Sequence, residues 1–414
     1  MAQTYPAPLA GAAVADSCCE MPQDVASVVT MLIARFRDAI EREDARTMAH
    51  QVQLAEIPSP TAREHRRAAW VAAAFAQLGF HTRRDEVGNV VASDPAASDA
   101  PPVVVCAHLD TVFPDDISHR VETRGDRYIG PGIGDNARGL AGMLTIARVL
   151  RAHGVRTRHP IIFAATVGEE GEGDLRGARL LFARDGANAL AAFALDGAGD
   201  DRIVTHAVGT RRFRVTISGP GGHSWAASQT PNPLHAAADL TSELARLPLR
   251  NTPRTTIAVT RMQGGDAVNA IPASATLDVE FRSPQGAVLE EGERALARLL
   301  SAALEREAPE WTPAGGLSAI TAITSDRPAG VVPEDATPVR AAIAATRAID
   351  RIPEFAIAST DANIPLSLGV PAIALGAGGT GGDTHTTAEW FENREGALGL
   401  TRALAAIVAT AGLA

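Results

Sequence analysis

A set of histidines and acids falls where chemistry could be done. His108 and Asp110 follow the apolar run 103–107, Glu169 and Glu170 follow 161–167, and Asp196 follows 191–195. His385 comes after the run 372–375 and a glycine-rich loop. Asp135 sits in Gly132-Ile-Gly-Asp-Asn, just ahead of an apolar-striped segment that starts at Gly139. Singly, each has an ordinary reading. A His-x-Asp pair arises by chance, Glu169-Glu170 suits a solvated helix start, Asp196 suits a cap or turn, and His385 suits a surface loop. Together they repeat one pattern, a polar group just past a buried strand, where burial without a partner is costly.

The partner that satisfies two imidazoles and three or more carboxylates is a metal pair. Such donors suit zinc, with manganese or cobalt as replacements. A co-catalytic pair needs one carboxylate shared by both ions, one histidine and one carboxylate for each, and room for a water between them. His108, Asp135, Glu170, Asp196 and His385 supply that inventory. Two acids remain. Asp110, two residues from His108 on an extended segment, is placed to fix the imidazole tautomer. Glu169 is placed to take a proton from the water.

For these groups to meet, the strands before them must share an edge. Ligands of open α/β sheets bind outside the carboxyl ends of the strands, and wholly apolar runs read as buried parallel strands. The spacing predicts strands at 80–84, 88–93, 103–107, 160–167, 191–195 and 372–375. It predicts helices at 25–48, with Asp24 as cap, and at 139–153, 175–185, 338–349 and 393–410. Another helix is marked by a capping box of Thr61 and Glu64, an apolar face containing Trp70, Val71 and Phe75, and a stop at Gly79. The class is α/β, a layer sandwich with a largely parallel sheet. At 209 the texture changes. Strand 211–218, helix 232–247, strands 255–262 and 273–282, helix 286–307 and strand 317–324 make an α+β ferredoxin-like unit. It reads as inserted at 209–324, between parts of a catalytic domain at 25–208 and 325–414, with 1–24 as a disordered tail rather than a signal peptide.

Composition narrows the function. The chain has 414 residues, 46% hydrophobic and 21% charged, with a net charge of −10, so a nucleic-acid partner is not expected. No apolar run is long enough for a membrane span, so no membrane partner is expected. All 38 basic residues are arginine. Without lysine, Schiff-base, pyridoxal-phosphate and P-loop chemistry are excluded. Cys18, Cys19 and Cys106 are too few and too unevenly spaced for a disulfide framework, which points to the cytoplasm.

The motifs resemble those of the co-catalytic zinc metallopeptidase and amidohydrolase family of carboxypeptidase G, acetylornithine deacetylase, succinyl-diaminopimelate desuccinylase and peptidase T. The matching stretches are Cys106-Ala-His-Leu-Asp-Thr-Val, Gly132-Ile-Gly-Asp-Asn, Val167-Gly-Glu-Glu-Gly, Leu195-Asp-Gly and Gly381-Gly-Asp-Thr-His385, in matching order. Ile57-Pro-Ser-Pro and Gly88-Asn89 also look like the family. The resemblance implies two zinc ions per subunit, His108 and Asp196 on one, Glu170 and His385 on the other, with Asp135 bridging. It implies Glu169 as general base and Asp110 as the orienting residue. It makes the inserted unit a lid or dimerisation domain, and Gly221-Gly-His-Ser its histidine motif. His223 would polarise the scissile carbonyl across a homodimer interface, and Asn269 and Arg282 would contact substrate, Arg282 through a carboxylate.

Two departures bear on the substrate. Asn136-Ala137 follow the bridging aspartate, where many members carry Asp or Lys. The loop Gly376-Ala-Gly-Gly-Thr-Gly-Gly is unusually open and is expected to offer backbone N–H groups to a substrate carboxylate. The expected activity is hydrolysis of an amide bond in a short peptide or an N-acyl amino acid. The peptide is favoured because the stretch from Glu169 to Arg179 looks like peptidase T. A deacylase, a single-metal hydrolase and a non-catalytic binding homologue are the rivals.

Overall fold

In the computed structural model, which describes residues 23–249, 251–307 and 316–414, the apolar runs become paired strands. Val103–His108 is buried along its whole length. It lies between Ile161–Thr166 and Ala191–Leu195, parallel to both, and Ala372–Leu375 adds in parallel beside Ala191–Leu195. Beyond Ile161–Thr166 the sheet continues antiparallel through Val90–Ser93 to His81–Arg84, and beyond Ala372–Leu375 through Arg202–Ala207. The sheet is therefore mixed, parallel in the middle and antiparallel at its margins. Its parallel strands end at one edge, and that edge carries the candidate residues.

The helices Gln23–Ala55, Ala137–Ala152, Thr337–Ala348 and Gly396–Ala411 pack on one another around Leu32, Phe36, Leu144, Val339 and Leu404. The first helix contains Asp24 instead of being capped by it. The rest of the expected tail, residues 1–22, lies outside the described residues. No helix among the described residues is long and apolar enough to cross a membrane.

Buried arginines brace this unit. Arg67 donates to the carbonyls of Leu109 (2.9 Å) and Ile57 (2.8 Å). Arg138 donates to those of Ala377 (2.7 Å) and Gly396 (3.1 Å). Arg402 donates to Thr346 Oγ1 (2.8 Å) and the carbonyl of Arg202 (2.9 Å). Burial lowers each guanidinium to about 10, which leaves it charged at neutral pH. The planar fork serves several carbonyls at once, as an ammonium on a flexible stem does not.

A smaller antiparallel sheet runs in the order Thr380–Gly382, Trp390–Glu392, Arg127–Ile129, Glu122–Arg124. Strands of three residues carry too short an alternation to read from sequence. This sheet holds the loop of His385 and pairs it with the strand that leads into the Asp135 loop.

The chain divides into two compact units, residues 23–205, 332–356 and 360–414 in one, and 206–331 with 357–359 in the other. The limits 206 and 331, against 209 and 324 expected, follow from Gly330–Val331 pairing with His206 and Ala207. Within the second unit the order is Gly209–Ser218, helix Pro233–Ala245, Thr256–Gly264, Ser274–Ser283, helix Gly286–Glu307, Ser318–Arg327. The antiparallel sheet order is Thr256–Gly264, Ser274–Ser283, Gly209–Ser218, Ser318–Arg327. Phe213, Val215 and Ile217 alternate inward and pack with Leu277, Val279 and Phe281 and with Leu240 and Leu296 of the helices. Asn232 caps the first helix by accepting from Leu234 N at 3.0 Å, ahead of Pro233.

Candidate metal centre

His108 ends its strand and Asp196 follows Ala191–Leu195 directly. Glu169 and Glu170 lie just past Ile161–Thr166, and His385 lies in the hairpin loop before Trp390–Glu392. Asp135 precedes the helix Ala137–Ala152, whose cap Asn136 accepts from Gly139 N (3.0 Å) and Gly197 N (3.2 Å) and donates to Leu195 O (2.9 Å). One side chain thus ties the Asp135 loop to the Asp196 strand.

The two oxygens of Asp135 face different imidazoles. His108 Nε2 is 3.0 Å from Oδ1, and His385 Nε2 is 3.2 Å from Oδ2. Each imidazole has a second carboxylate, Asp196 at 3.9 Å from His108 and Glu170 at 3.0 Å from His385. Donor atoms of His108, Asp135 and Glu170 lie within 4.8 Å of one another, a group able to hold a metal ion. The donor set fits a cation on its own chemistry. Asp135 Oδ1 is buried without an aligned hydrogen-bond donor among the described residues. His108 Nδ1 is 3.0 Å from the backbone carbonyl of Asp110, so it is assigned the proton, and Nε2 turns its lone pair towards Asp135. In the metal-free protein a proton sits between these two atoms, 3.0 Å apart, and a cation bound there would take its place.

The same crowding perturbs the acids and bases. Burial opposes protonation of His108, but Asp135 outweighs it and raises its pKa well above the ordinary value. Hydrogen bonds to Asp135 and Glu170 push His385 up to about 10. Burial would raise Asp135, yet the two histidines hold it below the usual carboxylate range. Asp196 is pushed up to about 7 by burial and the charge of Asp135.

Asp110 departs from its expected role. Its carboxylate Oδ1 is 3.7 Å from His108 Nδ1, and the main-chain carbonyl makes the contact instead. The carboxylate is committed elsewhere, accepting from Glu169 N (2.9 Å), Glu170 N (2.9 Å) and Thr61 Oγ1 (2.9 Å). One residue therefore orients the histidine and anchors the acidic pair. Glu169 itself is buried, and its charge reaches His108.

The sequence model of peptidase family M20/M25/M40 matches residues 104–410. The chain belongs to this family. Carboxypeptidase G2 of Pseudomonas sp. (strain RS-16) is 28% identical over 243 residues, 56% of this chain and 57% of that protein. The match thus spans little more than half the length of that curated relative. Among solved structures, the aminopeptidase PepT of Bacillus cereus superposes with a TM-score of 0.71 at 23% identity, over 89% of this chain and 98% of that one. A tripeptidase of Staphylococcus aureus gives 0.73 at 21% identity with the same coverage. YXEP of Bacillus subtilis, described as a dinuclear metal-binding peptidase, gives 0.65 at 17% identity, over 89% and 98%. The family resemblance read from the motifs is borne out, as is the α/β class, while the sheet expected to be largely parallel is mixed, its margins pairing antiparallel.

In this M20/M25/M40 chain the sequence reading missed Glu389. Its buried carboxylate accepts from the amides of Gly132 (3.1 Å), Gly134 (2.8 Å) and Asp135 (2.8 Å), which fixes the Asp135 loop. Burial and the charge of Asp135 push it up to about 7. A signal existed, an acid four residues after His385, but a lone Glu in a polar loop carries little weight. The Thr61–Glu64 capping box is corrected too. Thr61 serves Asp110, and Glu64 makes no side-chain cap bond. The open glycine loop is likewise not a free anion cradle at its start, since Ala377 N and Gly378 N donate to the carbonyls of Gly197 (2.9 Å) and Gly199 (3.0 Å). Gly378 has φ +79°, and a Cβ there would lie 2.2 Å from Gly396 O, so glycine is needed for packing.

His223, Asn269 and Arg282 belong to the second unit, and only the first two are brought together. His223 pairs with Ala270, and Ser224 N donates to Asn269 O at 2.9 Å. His223 Nδ1 accepts from Trp225 N (3.2 Å) and Ala226 N (3.4 Å), which leaves Nε2 as the outward donor. Arg282 is paired with Thr210 at the far end of the strand from Ser274, which pairs with Ser218. That is eight residues away, about 26 Å at roughly 3.3 Å per residue. Its guanidinium donates to Glu280 at 2.7 and 3.2 Å.

Proposed function

We propose that the chain is a cytoplasmic dinuclear zinc hydrolase that cuts an amide bond of a short peptide or an N-acyl amino acid. The observation that carries this reading is Asp135, whose two oxygens face His108 and His385, each with its own second carboxylate. His108 and Asp196 would hold one ion and His385 and Glu170 the other. Bound there, divalent cations supply Lewis acidity, which acidifies a water and polarises the amide carbonyl. Glu169 takes up the proton of the attacking water and delivers it to the leaving amine. Asp110 keeps the Nε2 lone pair of His108 turned to the cation and holds the Glu169 backbone in place. His223 donates from Nε2 to the developing oxyanion.

The reading includes a homodimer in which His223 comes from the partner subunit, and Arg282, at the other end of its strand from Ser274, exchanges Glu280 for a substrate carboxylate.

The test is to strip the purified protein of metal, reload it with zinc, manganese or cobalt, and count ions per chain by elemental analysis. The loaded protein is then assayed on dipeptides, tripeptides and N-acyl amino acids. Two ions per chain with hydrolysis of at least one class is expected. Full activity at one ion per chain would overturn the dinuclear reading, and no hydrolysis of any amide would overturn the function. Cleavage of the acyl amino acids alone would make the chain a deacylase.

A further inference from the structure

Consecutive backbone amides ahead of and through the acidic pair each donate to a side chain. Val167 N donates to Asn89 Oδ1 (3.0 Å), Gly168 N to Glu64 Oε1 (3.1 Å), and Glu169 N and Glu170 N to the carboxylate of Asp110. Glu64 is the unassigned member of this set. It is buried, and Oε1 also accepts from Ala62 N (2.9 Å) and from Arg176, with which it forms an ion pair.

We propose that Glu64, clamped by Arg176, is the positioning residue that fixes the Glu169 carboxylate. This rests on reading Glu169 as the general base. Two local rules are broken at two helix starts, and both departures serve the same amide. Glu64 stands at the cap position of helix His65–Gln77 but makes no cap bond, reaching across to Gly168 instead. Arg176 opens helix Arg176–Ala183, where a cation opposes the helix dipole, and its guanidinium lies over Gly168. Gly168 has φ +66°, a glycine conformation, so the peptide before Glu169 has no side chain to restrain it. Asp110 holds the amides on one side of that pivot. Glu64 holds the pivot itself, which fixes the backbone from which the base projects.

Beside Glu64 lies a cavity of about 220 Å³, lined by His65, Arg84, Val167 and Arg176 among others. A small carboxylate such as formate fits there, which gives the test a rescue arm. In the metal-loaded protein Glu64→Ala should lower kcat by about 10- to 100-fold. KM and metal content should stay near wild type. Millimolar formate should restore part of kcat in Glu64→Ala and leave wild type unchanged. Glu64→Gln keeps an acceptor for Gly168 N and should lose only a few-fold. In a Glu169→Gln background, adding Glu64→Ala should cost nothing more, because its effect runs through the base. An equal further loss in that background, or a fall in metal content alongside kcat, would overturn the proposal. Wild-type activity in Glu169→Gln would remove the base, and the positioning role with it, a failure visible without any Glu64 variant. Should Glu64→Ala not fold, Arg176→Met reads the same split, with a few-fold fall in kcat expected and an unchanged kcat overturning the clamp.

Discussion

His108 is 2% exposed and Asp110 wholly buried, while Trp225, two residues from His223, is 88% exposed, and Val268, beside Asn269, stands fully in solvent. The metal crevice is built in advance. Three of its segments are held by a buried acid or arginine that spends its hydrogen bonds on backbone, Glu389 on the Asp135 loop, Asp110 on the acidic pair, Arg67 on the carbonyl of Leu109, while the His385 side chain stays half exposed. The His223 hairpin is held by a two-residue backbone pairing, a few local backbone bonds and two long bonds to its own ring. The contrast teaches a division of labour. On the proposed function, groups that hold cations against mutual repulsion sit in a buried frame, and the group that meets the substrate sits on an exposed one.

The strongest way to break this contrast is to remove the shared carboxylate. Asp135→Ala should lose bound metal and activity together, to background, because two imidazoles and two acids cannot share two cations without it. His385→Ala should lose at least one ion. Retention of both ions in either variant, by elemental analysis, would take that residue out of the ligand set.

Next in size is Glu169→Gln. It should keep its metal and lose about 10²- to 10⁴-fold in kcat, the share general base catalysis supplies. Near-normal turnover would assign the proton transfer to another group.

His223→Ala should lose about 10²- to 10³-fold, as for removal of one oxyanion donor, with metal content intact. Mixing sharpens this. Glu169→Gln and His223→Ala chains are each at least about 10²-fold impaired, and if His223 serves the neighbour, mixed dimers regain one working site. No recovery, with heterodimers shown to form, would place His223 in its own subunit's site.

How far the sequence reveals this molecule follows the same contrast. Most of the candidate metal residues were legible because His108, Glu170 and Asp196 come just past wholly apolar runs and His385 comes a glycine loop after another, whereas Asp135 was read from its glycine loop ahead of a helix. The ferredoxin-like order was legible from the inward alternation of Phe213, Val215 and Ile217 and from long amphipathic helices. What stayed hidden are the residues that act through backbone. Glu389 and Glu64 have no periodicity, and their partners are amides over a hundred residues away. Thr61 and Glu64 even mimic a capping box, since the same acceptor chemistry serves a cap or a distant loop. The three-residue strands around His385 are too short for any pattern, although they place that histidine beside Asp135 and Glu170.

The smallest expected effect tests whether the crevice's rigidity is tuned to the cation. In the metal-free protein Glu389 is pushed up to about 7 from an ordinary 4.5, first by burial and then by the charge of Asp135. A raised carboxyl pKa means that the folded state holds the proton more tightly than the unfolded chain. The stability it contributes is complete below about pH 4.5 and is lost as pH rises through about 7. Glu389→Gln stays neutral throughout but gives up the acceptor for Gly132 N, so its melting temperature should lie below wild type near pH 5 and the gap should close by a few degrees near pH 8. Loading the metal neutralises Asp135 and should shrink that change with pH. Parallel melting curves for the two metal-free proteins from pH 5 to 8 would show that Glu389 holds the Asp135 loop as an ion at every pH, and that the crevice keeps its shape without help from a bound proton.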